Sequence, residues 1–254
     1  MISSGDNGPS PAFGSNSQLV YQVKVGAFLT SHNTLTNMPL MPSSQTALGK
    51  SLILGVTGAS GAILARRMLQ LLEADDRVGK IHLVISGSGL KVLRDELDIE
   101  VSRSSDIPSA LAGEAVAKTE YLLDSDIGAS IASGSYAVDG MVVIPCTTGC
   151  LAQVAHGISE TLIERAADVC LKEGRKLVLA VRDAPFNQIH LKNMLRAQAA
   201  GAVIFPIIPA FYHRPKTIDD LVTQFCCRVL ALLGLEQAGQ FRWKGLGAAE
   251  GSGQ

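Results

Sequence analysis

The stretch Gly58-Ala59-Ser60-Gly61 contains residues whose types and spacing could hold an anion. It follows an apolar run and opens a segment with helical spacing. Small residues let the backbone turn tightly, and the N–H groups of the first helical turn then point at a phosphate. Ser60 adds a hydroxyl group. The pattern predicts a nucleotide-phosphate site, and an ordinary structural turn between a strand and a helix is the alternative.

The spacing of the glycines indicates which nucleotide is favoured. They lie at Gly55, Gly58 and Gly61, which is not the GxGxxG pattern of dinucleotide-binding folds. The second predicted strand ends in "VISGSG", without the acidic residue that would bind the ribose of NAD. The sequence therefore favours a mononucleotide such as FMN over NAD.

Two further junctions carry polar residues directly after apolar runs. Thr147, Thr148 and Gly149 follow "GMVVIPC" and offer hydroxyls and free N–H groups to a ligand. Ordinary helix capping by threonine is the alternative there. Arg182 and Asp183 follow "KLVLAV" shortly before a proline, where the cation could face the electron-rich edge of a flavin. A surface ion pair of little energetic value is the alternative at this second junction.

Several polar residues lie close to apolar helical segments. Arg165 and Lys172 are seven residues apart and share a helix face, where they could bind a phosphate or form a solvated stripe. Arg228 has apolar neighbours on both sides and therefore needs an anionic partner. Tyr212 lies in a segment between prolines and could hydrogen-bond a phosphate. Its neighbour His213 is not assigned to the site.

These residues need elements that bring them to one edge of a sheet. Strand-like and helix-like segments alternate from Lys50 onward. The predicted strands are 51–58, 80–87, 140–146, 176–183 and 202–212, and the predicted helices are 61–76, 89–97, 149–157, 159–174, 189–201 and 217–235. Ser159 and Thr217 are the predicted caps of the fourth and last helices. The alternation predicts a single doubly wound α/β domain, with a mainly parallel sheet and helices on both faces.

Composition bears on the class of protein. Of the 254 residues, 47% are hydrophobic and 18% are charged, so a packed core is expected. The net charge of −1, without any basic block, gives no electrostatic support to binding of nucleic acid or of anionic membranes. No apolar run approaches the roughly 20 residues of a membrane span.

The cysteines indicate the cellular location and the absence of a metal site, and the composition of the chain ends indicates the bounds of the domain. The cysteine count is odd and there is no CxxC pair, which favours reduced thiols and a cytoplasmic location. Cys146 and Cys150 have no second ligand pair nearby, so no metal site is predicted. Residues 1–49 are predicted as a flexible extension. They contain no Arg, which argues against a mitochondrial transit peptide, whereas the many Ser residues and the single acidic residue Asp6 fit one. Residues 50–238 are the predicted domain and 239–254 a C-terminal tail.

A series of longer motifs occurs in order between residues 52 and 235. They are "GASGA", "SGSYAVDGMVVIPC", "LIERAADVCLKE", "VRDAPF" followed by "IHLKNMLR", "GAVIFP" followed by "PAFYHRP", and "TIDDLV". Together they resemble the UbiX-type flavin prenyltransferases. The resemblance implies a Rossmann-like, flavodoxin-like fold, a homododecamer built from trimers, and no requirement for a metal.

The resemblance also implies a reaction. Such enzymes join a dimethylallyl group from dimethylallyl phosphate to N5 and C6 of reduced FMN, which closes a fourth ring. The product, prenylated FMN, is then used by a separate UbiD-type decarboxylase.

Individual residues match positions with known roles in this family. The FMN-binding positions are matched by Gly58, Ala59, Ser60, Ser86, Thr147, Thr148, Gly149, Cys150 and Arg182. The prenyl-phosphate positions are matched by Lys172, Tyr212 and Arg228, with Arg165 nearby, and Trp243 matches an aromatic residue that covers the site. The implied catalytic residues are Ser60, Glu96, Lys172 and Asp183, and Glu96 is implied to come from a subunit contact. The family usually has Arg-Glu where this chain has Arg182-Asp183.

Two alternative functions remain open from the sequence. One is an FMN-dependent decarboxylase of peptidyl- or pantothenoyl-cysteine, whose PASANT-like and PxMNxxMW-like segments are not found in this sequence. The other is a non-catalytic flavin-binding or flavin-delivery protein. Lys172, Tyr212 and Arg228 argue against a carrier, because a carrier needs no second phosphate site.

Overall fold

The first strand begins at Lys50, next to the first residue that the structure describes. The structure is a computed structural model, and it describes residues 49–242. The predicted extension lies outside the described residues except for Gly49, and so does the predicted tail beyond residue 242.

Six strands form one sheet within residues 49–242. They are β1 (Lys50–Val56), β2 (Val78–Ile85), β3 (Thr119–Leu123), β4 (Gly140–Cys146), β5 (Lys176–Val181) and β6 (Val203–Ile204). Their order is β3-β2-β1-β4-β5-β6, and every neighbouring pair is parallel. The chain winds outward from β1 to one edge, returns to β4 and winds to the other edge. This confirms the predicted doubly wound α/β fold, with a fully parallel sheet.

Seven α-helices flank this sheet in the part of the chain that the structure describes. They are α1 (Ala62–Ala74), α2 (Gly87–Leu97), α3 (Ile107–Ala112), α4 (Thr148–His156), α5 (Leu162–Lys172), α6 (Gln188–Ala199) and α7 (Ile218–Leu232). Right-handed crossovers put the helices of the two windings on opposite faces, because the windings run in opposite directions. None of these helices is both long and apolar enough to cross a bilayer.

The side chains of β1 show the two faces most simply. Leu52 and Leu54 pack into the core that contains residues of α1 and α7, whereas Ile53 packs into the core that contains residues of α4, α5 and α6. All three are at most 1% exposed. Successive strand residues point to opposite faces, so a strand buried on both faces reads as a continuous apolar run.

The last strand is much shorter than predicted. The apolar run over 202–212 predicts a long strand, but only Val203–Ile204 is a strand, paired with β5. Beyond Ile204 the prediction is wrong because Pro206 and Pro209 have no N–H group for a sheet ladder. Phe205 and Ile207, the next alternate residues, still donate hydrogen bonds to carbonyls of β5.

The edge strand β3 is absent from the prediction. The sequence shows residues 113–139 only as a more polar stretch with a loop, yet Thr119–Leu123 pairs with β2. None of its residues is buried. An edge strand with partly exposed faces lacks the continuous apolar run that marks the inner strands.

One of the two predicted helix caps is wrong. Helix α5 begins at Leu162, and its N-cap is Thr161 rather than Ser159. Thr161 forms a capping box, in which the Glu164 carboxylate accepts a hydrogen bond from the Thr161 N–H at 2.9 Å. The predicted cap of α7 is confirmed, because Thr217 Oγ1 accepts from the Asp220 N–H at 3.1 Å.

Candidate active site

The three predicted polar junctions meet at the carboxyl edge of the sheet, because β1, β4 and β5 are neighbours. Thr57 links the first two: its Oγ1 donates to the Pro145 carbonyl at 2.9 Å and accepts from the Thr147 N–H at 2.8 Å. Arg182 links the third junction to the first, because its Nε donates to the Ser60 carbonyl at 3.3 Å. The site therefore lies where strand order reverses, which is where doubly wound folds bind ligands.

The start of α1 is already occupied by a carboxylate from the same chain. Glu96, at the end of α2, accepts hydrogen bonds from the N–H groups of Gly61 at 3.0 Å and Ala62 at 2.8 Å. These are the groups that the sequence offers to a phosphate. In the structure these N–H groups are bound by Glu96, and the contact of this turn with a phosphate stays a prediction. The resemblance implies that Glu96 acts at a subunit contact, whereas here it binds the turn of its own chain.

The same contacts set the charge state of Glu96. Burial acts to raise the pKa of its carboxyl group, but hydrogen bonds from Ser60, Gly61 and Ala62 and the charge of Arg182 outweigh that effect. The pKa is held below its usual value. Glu96 is thus a carboxylate at neutral pH. It contacts the hydroxyl of Ser60, which the resemblance implies to bind FMN.

We expect Glu96→Gln to lower the thermal unfolding midpoint at pH 7 by about 2 °C, because α1 loses a charged partner worth about 0.5–1 kcal/mol. The pKa of Glu96 is lower in the folded than in the unfolded protein. The stabilisation that Glu96 gives the folded protein is therefore fully present above pH 4.5, the ordinary pKa of a glutamate. It is lost as the pH falls through the lower pKa of the folded protein. The difference in unfolding midpoint between wild type and variant should therefore be smaller at pH 4 than at pH 7. Asp95→Asn, a neighbouring charge change, is the control, and an equal difference at both pH values would contradict the assignment.

A polar pocket of about 180 Å³ lies between the ends of β1, β2 and β4. The predicted FMN-binding residues that line it are Ser86, Thr147, Gly149 and Cys150. Ser86 and Thr147 are the N-caps of α2 and α4, so two helix N-termini lie at this pocket. Hydroxyl groups and helix N-termini suit a phosphate. This pocket is therefore a second candidate anion site, besides the start of α1.

Ser88, Asp124 and Glu164 are among the lining residues of this pocket that the sequence analysis does not single out. Asp124 Oδ1 accepts from the Ile163 N–H at 3.1 Å, and Glu164 caps α5, so both carboxylates satisfy the start of that helix. The Thr-x-x-Glu spacing of the capping box is visible in the sequence. Nothing in the sequence marks Asp124.

Gly58 brings the first turn against the start of α2. A Cβ atom built on Gly58 would lie 2.4 Å from both the Cβ and the Oγ of Ser88. No side chain fits there unless neighbouring atoms move. The glycine therefore serves a close approach between two site elements, which is a different role from contact with a phosphate.

Cys150 lines this pocket and is protonated at neutral pH. A hydrogen bond with Cys146, together with burial, raises the pKa of the Cys150 thiol well above its usual value. Cys150 therefore presents a neutral thiol to the pocket. Within residues 49–242, no group of three or more His, Cys, Asp or Glu side chains is placed to hold a metal ion.

Asp183 lies at the end of β5, in contact with the start of α4. Its Oδ2 accepts from Thr148 Oγ1 at 3.2 Å, and its Oδ1 accepts from the Ala184 N–H at 2.9 Å. The shorter side chain of Asp183 therefore still reaches the threonine junction that the sequence singles out.

A second pocket, of about 270 Å³, lies between α7 and the segment that follows β6. Its apolar lining consists of Phe205, Ile208, Ala210, Leu221, Phe225 and Phe241, and its polar lining of Tyr212, His213, Gln224 and Arg228. Arg228 Nη1 donates to Tyr212 Oη at 3.3 Å. A cation and a phenol beside aromatic walls suit a ligand with an anionic head and a hydrocarbon tail.

The remaining predicted phosphate residues lie on the opposite face of the sheet. Arg165 Nε donates to the Ala132 carbonyl at 3.0 Å and Nη1 pairs with Asp168 at 2.9 Å. Lys172, at the end of α5, pairs with Glu173. Helix α5 packs on the face opposite α7, so the described part of one chain does not bring Lys172 to Arg228. Trp243 lies outside the described residues.

Known proteins resemble this chain in both sequence and structure. The sequence profile of the Flavoprotein family matches residues 40–229. The flavin prenyltransferase UbiX of Methanocaldococcus jannaschii is 40% identical over 192 residues, which are 76% of this chain and 97% of the relative.

Two solved structures have similar folds. The crystal structure of AnUbiX (PadA1) in complex with FMN and dimethylallyl pyrophosphate gives a TM-score of 0.68 at 37% identity, over 78% of this chain and 99% of that one. The dodecameric FMN-dependent UbiX-like decarboxylase from Escherichia coli O157:H7 gives 0.67 at 42% identity, over 77% and 100%. The chain belongs to the Flavoprotein family and, within it, to the UbiX-type flavin prenyltransferases.

Proposed function

We propose that this protein is a flavin prenyltransferase that joins a dimethylallyl group from dimethylallyl phosphate to N5 and C6 of reduced FMN. The observation that carries the proposal is the aromatic pocket with Arg228 and Tyr212, separate from the polar pocket at β1 and β4. Two pockets, each with groups that suit a phosphate, match a reaction between two phosphate-bearing substrates. A flavin carrier needs only one.

The residues present at the carboxyl edge fit FMN. The hydroxyl groups of Ser86 and Thr147 and the starts of α2 and α4 suit its phosphate. Gly58, Ala59, Ser60, Thr148, Gly149, Cys150 and Arg182 are the further proposed contacts. Arg182 donates to the Ser60 carbonyl, which holds its cation beside the turn where the ring would lie. When bound, reduced FMN supplies the nucleophilic atoms N5 and C6.

The protein's own groups would act mainly on the prenyl donor. Breaking the allylic C–O bond leaves negative charge on the phosphate, and Arg228, Tyr212 and Lys172 would stabilise that charge as it grows. The aromatic wall of the pocket would stabilise positive charge on the allyl group. Glu96, beside the hydroxyl of Ser60, and Asp183, beside Thr148, are the side chains proposed to take part in proton transfer. Arg165 would hold the loop at Ala132 in place for Lys172.

Lys172 would reach this donor site from a second copy of the chain. Exposed apolar side chains beside the donor pocket support an assembly, with Ile208 67% and Phe211 64% exposed. We propose that the protein is a homo-oligomer. A dodecamer is proposed by analogy with the dodecameric UbiX-like decarboxylase from Escherichia coli O157:H7. The further proposals are a UbiD-type decarboxylase as the recipient of prenylated FMN and a cytoplasmic location.

The test is to incubate the protein with reduced FMN and dimethylallyl phosphate, then measure the mass of the flavin. We expect the flavin to gain one five-carbon unit. A parallel reaction with dimethylallyl diphosphate identifies the preferred donor. FMN that stays bound without a change of mass with either donor would contradict the proposal and favour a flavin carrier. Release of carbon dioxide from a cysteine-ended peptide would favour the decarboxylase alternative.

A further inference from the structure

His213 lies in a tight turn and lines the aromatic pocket. The turn is closed by a hydrogen bond from the Arg214 N–H to the Phe211 carbonyl at 2.9 Å. Arg214 has a φ of +53°, a left-handed conformation that residues other than glycine adopt rarely. Such conformations persist where the surroundings determine them, and they often occur at functional sites. The turn thus presents Tyr212 and His213 as a fixed pair.

The imidazole ring of His213 is packed but not satisfied. Its centroid lies 6.0 Å from that of Tyr212 and 6.3 Å from that of Phe241. Its Nε2 atom is buried and has no hydrogen-bond partner in the described part of the chain. The nearby carboxylate of Asp220 is engaged elsewhere, because Oδ2 accepts from the N–H groups of Lys216 and Thr217 at 2.8 and 2.9 Å. A buried nitrogen without a partner is unfavourable until a ligand supplies one.

The same pocket already contains two groups suited to a phosphate. Arg228 and Tyr212 are hydrogen-bonded to each other, and both line the pocket with His213. A phosphate monoester has three terminal oxygens, and each can accept more than one hydrogen bond, so Arg228 and Tyr212 do not use all of its acceptor sites. An imidazole with its proton on Nε2 supplies a further donor.

We propose that His213 is a further binding residue of the prenyl-donor site, whose Nε2–H donates a hydrogen bond to the phosphate of the donor. The inference rests on the proposed function for the identity of the donor. His213 thereby holds the phosphate in the pocket, next to the aromatic wall that contacts the hydrocarbon tail.

The test compares His213→Phe, which keeps the ring and removes the nitrogens, with His213→Gln, which restores a side-chain N–H donor. Binding of dimethylallyl phosphate to the FMN-loaded protein is measured by calorimetry, together with the donor KM and the FMN KM. We expect His213→Phe to weaken donor binding by about tenfold or more, with the FMN KM unchanged. His213→Gln should recover part of the loss. His156→Phe, at an exposed histidine of α4, is the control.

The possible failures are distinct. Unchanged donor binding in His213→Phe would overturn the role of His213 while wild-type turnover still supports the proposed function. Equal loss in the Phe and Gln variants, with a lower unfolding midpoint, would mean that His213 only packs. Donor binding without a change in flavin mass in the wild type would overturn the proposed function, and the binding data would still decide on His213. A wild type that binds no donor would overturn both.

Discussion

Alanine in place of Lys172 or Arg228 is expected to lower kcat/KM for the prenyl donor by about a hundredfold or more, because each cation would stabilise the departing phosphate. The KM for FMN should change little, since neither residue lines the polar pocket at β1 and β4. Steady-state kinetics with each substrate varied in turn measures both effects. Lys176→Ala, an exposed lysine at the start of β5, is the matched control. If kcat/KM for the donor falls by less than threefold in either variant, the substituted cation does not act at the donor site.

The placement of the two cations gives a sharper experiment. Helices α5 and α7 cover opposite faces of the sheet, so a site that uses both cations must combine two chains. Co-expression of Lys172→Ala with Arg228→Ala should therefore restore activity. Random mixing makes about a quarter of the shared sites fully intact, which sets the expected recovery. Mixed assemblies no more active than the separate variants would contradict a shared site.

Gly58→Ala is expected to be the most damaging small substitution at the flavin edge. The added Cβ would lie 2.4 Å from Ser88, so the start of α2 must move. Overpacking of this kind costs about 2 kcal/mol, or about 5 °C in the unfolding midpoint. The same shift would deform the pocket that contains Ser86, and we expect FMN affinity to fall by about tenfold or more. Thermal unfolding and flavin fluorescence titration measure the two effects.

The clash itself can be tested by relieving it. Removing the serine side chain in Gly58→Ala/Ser88→Gly should restore much of the loss relative to Ser88→Gly alone. Gly87→Ala, next to Ser88 at the start of α2, is the control, because a Cβ there meets nothing within 4 Å. If Gly58→Ala and Gly87→Ala have equal effects, the close approach to Ser88 is not the reason for the glycine.

The inner part of the fold was predictable from local patterns. Strands β1, β4 and β5 are apolar runs because both of their faces are covered, and the helix cap at Thr217 uses residues three apart. The edges were not predictable in this way. The strand β3 has no fully buried residue, and prolines end β6 inside an apolar run that otherwise reads as a strand.

The site was predictable as far as sheet topology reaches. Parallel strands place their carboxyl ends together, so Arg182 contacts Ser60, and Thr147 contacts Thr57 of the same junction, as expected. Contacts that depend on how a helix is oriented were not predictable. Glu96 reaches Gly61 across 35 residues of chain, and no local signal shows that α2 ends at the start of α1. The position of α7 follows no crossover, so the sequence does not indicate which face carries Arg228.

The short strand β6 also limits how copies of this protein can join. Only Val203–Ile204 forms a strand, and Pro206 and Pro209 lie in the segment after it, so this side of the sheet offers little backbone for a neighbour to extend. Growth by strand addition, the route to fibres, is disfavoured at this edge. An assembly that uses this side of the molecule must therefore be built from side chains of helices and loops. Substitutions there can change the number of copies without disturbing the sheet.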